Sequence, residues 1–202
     1  MKGFYFITDA GLSRRGNISD VRNALAAKIE VVQYREKKLY TKEMHEEALA
    51  LKNLCRNITF LVNDRVDIAL AVNADGVHLG QGDLPYQLAR KLLGKKRIIG
   101  LTVHNIREAE EAQNLGADYV GVSPVFSTRT KKDAGRASGV ALIKKIRKRI
   151  PLPIVAIGGI NFSNAPEVIH AGADCLCAIS AVVTKPDVKS EIEKFQELWK
   201  KY

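Results

Sequence analysis

Long apolar runs are missing from this 202-residue chain: no stretch approaches the roughly 20 uncharged residues that a membrane-spanning helix requires. The opening, Met1-Lys2-Gly3-Phe4-Tyr5-Phe6-Ile7-Thr8-Asp9, is too short and turns acidic too soon for a signal peptide, so a soluble cytoplasmic protein without a membrane partner is expected. Cysteine is scarce as well. Cys55, Cys175 and Cys177 form no Cys-x-x-Cys unit, and their odd number argues against a disulfide framework. Cys175 and Cys177 stand two apart in an apolar run and share one face of a strand, where small buried thiols are the simplest reading. No linker or low-complexity segment breaks the chain, whose length suits a single domain over 1–202.

Acidic residues are outnumbered, 22 against 32 Lys and Arg, which leaves a formal charge of +10. Such an excess raises the question of nucleic acid or another polyanion. In Lys144-Lys145-Ile146-Arg147-Lys148-Arg149, however, the cations interleave with apolar positions as on a solvated helix face, and no nucleic-acid partner is expected.

What the sequence does have is rhythm. Short apolar runs alternate with longer amphipathic stretches: Phe4 to Thr8, Val31 to Arg35, Phe60 to Asn63, Gly76 to Leu79, Ile98 to Thr102, Tyr119 to Val122, Ile154 to Ile157 and Cys175 to Ile179. Lys42 to Cys55 and Ile106 to Leu115 carry helical spacing, and Ser19, Thr41, Asn105 and Ser163 are candidate helix caps. Gly-Ala-Asp recurs at 116–118 and 172–174, with Asn73-Ala74-Asp75 in the equivalent place, as one structural solution used three times. Strict alternation implies parallel strands and right-handed crossovers, in an open doubly wound sheet or a closed barrel. No glycine-rich turn follows the first run, where Thr8-Asp9-Ala10 stands instead, and this favours a single (β/α)8 TIM barrel in the α/β class.

In such a barrel the chemistry sits where strands end. The second run ends with Gln33 and Arg35 on one face, an arginine fork suited either to phosphate oxygens or to a rim carboxylate such as Glu36. The third ends at Asn63-Asp64-Arg65, and the fourth is followed by Gln81-Gly82-Asp83. Two carboxylates at neighbouring strand mouths suit Mg2+ bound to a diphosphate, although each Asp taken singly reads better as a cap for the helix behind it. Thr102 ends the fifth run with a hydroxyl, and His104 follows with no assigned role beyond packing or capping. The loop 123–139 is long for a compact barrel, and its Thr128, Thr130 and Lys131 suit an anion. Gly158-Gly159 and Ile179-Ser180 close the rim; the glycines either admit a ligand to the backbone or make a tight turn. Two anion sites on one rim would serve two phosphorylated reactants or one doubly phosphorylated substrate.

Taken together, Gln33-Tyr34-Arg35-Glu36-Lys37, Asn63-Asp64-Arg65-Val66-Asp67, Ala74-Asp75-Gly76-Val77-His78-Leu79-Gly80-Gln81, Pro124-Val125-Phe126-Ser127-Thr128-Arg129-Thr130-Lys131 and Ile157-Gly158-Gly159-Ile160 resemble the thiamine-phosphate synthase family. The resemblance implies a (β/α)8 transferase that joins hydroxymethylpyrimidine diphosphate to thiazole phosphate with Mg2+ and releases pyrophosphate. It implies Asp64 and Asp83 as Mg2+ ligands and Gln33, Arg35, Lys37, Asn63, Thr102 and Lys131 as contacts of the pyrimidine diphosphate. Thr128, Thr130, Gly159, Ile179 and Ser180 would hold the thiazole phosphate, with Arg35 and Lys131 absorbing charge on the leaving group. The sequence departs from the family pattern at Thr102, Ser123 and Ser127, where the pattern has Ser, Gly and Pro, and Thr102 keeps the hydroxyl.

Two other barrels compete. A thiazole tautomerase tends to lack the first metal Asp and the second loop Thr and to carry His at the position of Pro124, so Asp64, Thr130 and Pro124 speak for the synthase. A phosphate-binding isomerase needs a general base at a strand end, for which only Glu36 or His104 is placed. Monomer and homodimer both remain open.

Overall fold

A computed structural model of the chain describes residues 2–131 and 134–201, so Lys132 and Asp133 of the long loop lie outside the described residues. Eight parallel strands close on themselves in sequence order: β1 (Gly3–Ile7), β2 (Val31–Tyr34), β3 (Thr59–Asn63), β4 (Gly76–Leu79), β5 (Ile98–Val103), β6 (Tyr119–Val122), β7 (Ile154–Ile157) and β8 (Cys175–Cys177). Helices α1 (Asn17–Ala26), α2 (Thr41–Leu54), α3 (Val66–Ala71), α4 (Tyr86–Leu93), α5 (Ile106–Leu115), α6 (Val140–Arg147) and α7 (Ala165–His170) return the chain between strands, and α8 (Ile179–Val183) and α9 (Val188–Trp199) follow the last. None of them is long and apolar enough to cross a membrane.

The period-two alternation of each strand divides the core into two compartments. Outward residues such as Phe4, Phe6, Val32, Phe60, Val77, Ile99 and Val120 pack under the helices. Inward residues Tyr5, Ile7, Val31, Leu61, Tyr119, Val155, Cys175 and Cys177 fill the barrel. Both inward cysteines are buried free thiols, as their spacing predicts, and burial raises the Cys175 pKa to about 12.

The recurring acid is a latch. Asp75 Oδ2 accepts the Phe60 N–H (2.8 Å) and the Lys52 ammonium (2.7 Å); Asp118 Oδ2 accepts the Ile99 N–H (2.8 Å) and Arg90 (2.9 Å). Asp174 Oδ2 likewise takes the Ile154 N–H (2.8 Å) and pairs with Arg147. Each acid at the foot of an even strand thus satisfies an otherwise orphaned N–H of the odd strand before it and holds a cation from the helix that leads into that odd strand. Arg147 is therefore committed to the fold, whereas Lys144, Lys145 and Lys148 are exposed over the buried Ile143, Ile146 and Ile150.

Some boundaries differ from the sequence reading. Asn105 caps α5 by accepting the Glu108 N–H (2.9 Å), but Ser19 lies inside α1, because the left-handed turn at Gly16 starts that helix earlier. Thr41 is the first residue of α2 behind Tyr40, and Ser163 sits in a turn closed on Asn161, with Asn164 at the start of α7. The eighth strand ends at Cys177, so Ile179 and Ser180 open the short helix α8.

Candidate active site

At the C-terminal mouth of the barrel lies a cavity of about 500 Å3. Its wall contains every residue that the family resemblance implies for metal and substrates: Gln33, Arg35, Lys37, Asn63, Asp64, Asp83, Thr102, Thr128, Thr130, Lys131, Gly159, Ile179 and Ser180. His78, Gly80, Gln81, Ser123, Gly158 and Cys177 complete much of the remainder.

Neither aspartate caps a helix. Asp64 has φ +62°, a left-handed conformation that Asp tolerates better than most side chains, and Arg65 rather than Asp64 precedes α3. That turn aims the Asp64 carboxylate at the cavity, where the Lys37 ammonium rests on it. Asp83 accepts the Gly80 N–H (2.7 Å), which folds the β4 exit loop so that its carboxylate meets that of Asp64. Burial raises the Asp83 pKa, and the hydrogen bond to and charge of Asp64 raise it further. For Asp64 burial works the same way, but the hydrogen bond from Asp83 and the nearby Lys37 outweigh it, so its pKa falls. Two acidic oxygen groups held together, their pKa values driven in opposite directions, form a donor set that would suit a divalent cation. Among the described residues no group of three or more His, Cys, Asp or Glu is placed to hold a metal ion, and a pair of carboxylates would suit Mg2+, which keeps water and phosphate oxygens as its other ligands.

Arg35 reaches the rim on a second hydrogen-bonded tie. Its backbone N–H donates to the buried Thr8 hydroxyl (2.9 Å), and its guanidinium meets Asp9 (3.3 Å). The carboxylate partner among the described residues is thus Asp9, through one guanidinium N–H at Nη1, and the fork offers further donors suited to an anion. Glu36 instead folds its side chain back onto the N–H groups of Lys37 and Lys38 (2.7 and 2.5 Å), and His104 bonds Glu108 (3.0 Å). Neither lines the cavity, which removes both bases that an isomerase reading requires. Arg65 also turns away, onto Asp67 and Thr41.

The opposite wall is loop 123–139 seated on the end of β7. Val125 N–H donates to Ile157 O (2.9 Å) and Phe126 N–H to Gly158 O (2.9 Å). A Cβ on Gly158 would lie 2.7 Å from Pro124 Cα, and one on Gly159 2.4 Å from Ser127 O; both residues have positive φ. The glycine pair is therefore required by close approach of the loop, which in turn presents Thr128, Thr130 and Lys131.

The floor holds what the sequence reading did not assign. Gln33 Nε2 donates to the Tyr5 hydroxyl (2.8 Å), which meets the Tyr119 hydroxyl (2.7 Å); Tyr119 reaches His78 Nδ1 (2.9 Å), and His78 Nε2 reaches Thr102 Oγ1 (2.8 Å). Burial pushes both phenols far above their usual range and lowers the His78 pKa to about 4. The available signal was parity: Tyr5, Gln33, His78, Thr102 and Tyr119 all occupy inward positions of their strands, and all five are polar or ring-bearing where a packed barrel asks for aliphatics.

Comparison with known proteins agrees with this arrangement. The family described as thiamine monophosphate synthase matches residues 4–182. A thiamine-phosphate synthase of Methanosarcina barkeri is 55% identical over 196 residues, 96% of this chain and 89% of that protein. One from Chloroflexus aurantiacus is 49% identical, over 96% of this chain and 91% of its own. A solved structure of thiamine phosphate pyrophosphorylase from Pyrococcus furiosus superposes with a TM-score of 0.91 at 40% identity, covering 98% of this chain and 96% of that one. A 3-hexulose-6-phosphate synthase from Salmonella typhimurium, 16% identical with a TM-score of 0.76, shares the fold alone. By the extent of these matches, the chain belongs to the thiamine monophosphate synthase family.

Proposed function

We propose that this protein is a Mg2+-dependent thiamine-phosphate synthase that couples hydroxymethylpyrimidine diphosphate with thiazole phosphate and releases pyrophosphate. The observation that carries the reading is the gathering, around one cavity, of a carboxylate pair, three cations and a wall of hydroxyls and glycines. Asp64 and Asp83 would hold Mg2+, which when bound supplies charge neutralisation for the diphosphate. Arg35, Lys37 and Lys131 bind the diphosphate oxygens and absorb the charge that develops as the C–O bond breaks. Gln33, Asn63 and Thr102 orient the pyrimidine, whose electron-rich ring supports a dissociative step through a transient methylene cation. Thr128, Thr130, Gly159, Ile179 and Ser180 hold the thiazole phosphate so that the ring nitrogen stands next to that carbon, which contributes through proximity alone. No protein nucleophile is needed, and the buried thiols of Cys175 and Cys177, their pKa values raised by burial, do not supply one.

The test is to mix purified protein with both phosphorylated precursors, with and without Mg2+, and assay thiamine phosphate and pyrophosphate. Stoichiometric formation of both with Mg2+ is expected; authentic substrates that give neither would overturn the reading.

A further inference from the structure

Beneath the cavity, five side chains from five strands form one unbroken hydrogen-bonded chain, Gln33, Tyr5, Tyr119, His78 and Thr102. Two of its ends line the cavity while the two tyrosines lie in the floor. The strands make room for it at a cost in regular packing. A Cβ on Gly100 would stand 2.0 Å from the Tyr119 ring, and one on Gly121 would stand 2.9 Å from His78 Cε1. Glycine weakens a strand interior, and here φ is not the reason at either position, since neither is among the positive-φ residues. The two glycines exist to seat the rings.

Such a chain permits few proton arrangements. With the Gln33 amide donating to Tyr5, the Tyr5 proton has one partner left, the Tyr119 oxygen. Tyr119 must then donate to His78 Nδ1, so the imidazole carries its proton on Nε2 and donates it to Thr102. A doubly protonated ring would strand the Tyr5 proton. Turning the Gln33 amide over reverses every bond, moves the His78 proton to Nδ1, and makes Thr102 donate inward. Either way, the two ends offer opposite polarity to whatever occupies the cavity: acceptor at Gln33 with donor at Thr102, or the converse.

We propose that Tyr5, Tyr119 and His78 are positioning residues that lock Gln33 and Thr102 into one coupled specificity device, set in the direction that accepts a hydrogen bond at Gln33 and donates one at Thr102. On the functional reading given above, this device selects a pyrimidine bearing an amino donor over an otherwise identical ring bearing an oxo acceptor. A ring of the wrong polarity meets a mismatch at one end that can be relieved only by reversing all four internal bonds.

The direction is read first without substrate, by 15N NMR of the intact protein with labelled histidine. A His78 resonance pattern of the Nε2–H tautomer is expected, and the Nδ1–H pattern would overturn the assigned direction. Coupling is read with Tyr119→Phe, which keeps the ring and removes the hydroxyl. This variant is expected to lose the single tautomer and to lower the preference in kcat/KM for the amino- over the oxo-pyrimidine diphosphate about tenfold or more. Should Tyr119→Phe not fold, Tyr5→Phe breaks the same chain at its neighbour and is expected to do the same. A folded variant of either kind with wild-type tautomer and wild-type preference sinks the proposal. Absence of product from the amino substrate in the wild-type protein would instead defeat the functional reading, and the NMR result would still stand on its own.

Discussion

The Lys37 ammonium sits on the carboxylate of Asp64, the group expected to bind Mg2+, which also meets the carboxyl of Asp83, whose pKa is raised by burial and by Asp64. The positive charge of Lys37 offsets part of the negative charge of the carboxylate pair. A cation bound there frees Lys37 for phosphate, so metal and diphosphate binding are expected to be mutually supportive. Asp64→Asn should lower turnover by about 100-fold or more at saturating Mg2+, from loss of charge stabilisation worth several kcal/mol. Pyrophosphate release measured across a Mg2+ titration checks this; wild-type rates in the variant would remove Asp64 from the metal site. Acidification should weaken Mg2+ in the wild-type protein, because the raised Asp83 pKa makes a proton a stronger competitor.

His78 should make stability depend on pH. Its pKa falls from 6.5 in the unfolded chain to about 4 in the folded one, because burial disfavours the cation. Below pH 6.5 the unfolded state takes up a proton that the folded state refuses, so stability is lost as pH falls towards 4 and no further below it. The loss should be on the order of 3 kcal/mol at most. Carboxyls with raised pKa values, Asp20 and Asp83, act in the opposite sense, so the comparison is between wild type and His78→Gln. Denaturant midpoints between pH 7 and 4.5 should fall more steeply for wild type.

Gly100→Ala should destabilise the fold by about 3 kcal/mol, since the new methyl overlaps the Tyr119 ring and neither strand can retreat. Urea unfolding provides the measurement. Tyr119→Ala in the same chain should recover part of the loss, as the two changes share one space; strict additivity would show that the clash lies elsewhere.

Gly159→Ala strikes the seat of loop 123–139 through a φ of +62° and a methyl 2.4 Å from Ser127 O. The expected phenotype is selective. Steady-state kinetics should show KM for thiazole phosphate raised about tenfold or more, with KM for the pyrimidine diphosphate changed far less. Equal changes in both would place the loop's role on neither substrate in particular.

The barrel was legible because period-two runs separated by helical stretches leave few parallel topologies. Asp64 and Asp83 could be named but not freed from the capping reading, since a cap and a metal ligand at a strand end look alike in sequence. Only the left-handed turn at Asp64 and the Gly80 contact of Asp83 separate the two. Asp9 as the partner of Arg35 joins strands 26 residues apart, and no local pattern signals it. The Tyr5 to Thr102 chain was hidden for a related reason. Parity marks each member as a polar or ring-bearing inward residue of its own strand, but the relation among them exists only once the sheet has closed. Ile179, read as the end of the eighth strand, opens α8 instead, because an apolar run carries no mark of where a strand gives way to a helix.

The three aspartate latches give the barrel a grain. Asp75, Asp118 and Asp174 join β3 to β4, β5 to β6 and β7 to β8, always the odd strand to the even one after it. The corresponding acid before β2 is Glu30, two residues after the left-handed Lys28 as Asp75 is after Asn73, but among the described residues no N–H of β1 reaches its exposed carboxylate. The cylinder is thus three buckled quarters and one unbuckled, and its seam lies at the strand pair that carries Tyr5, Gln33 and Arg35. The half of the pocket that receives the pyrimidine diphosphate in our reading is built partly on that quarter, whose strands are tied instead at the mouth, by Gln33 to Tyr5 and by Arg35 to Thr8 and Asp9, so its fastening is made of the pocket's own residues.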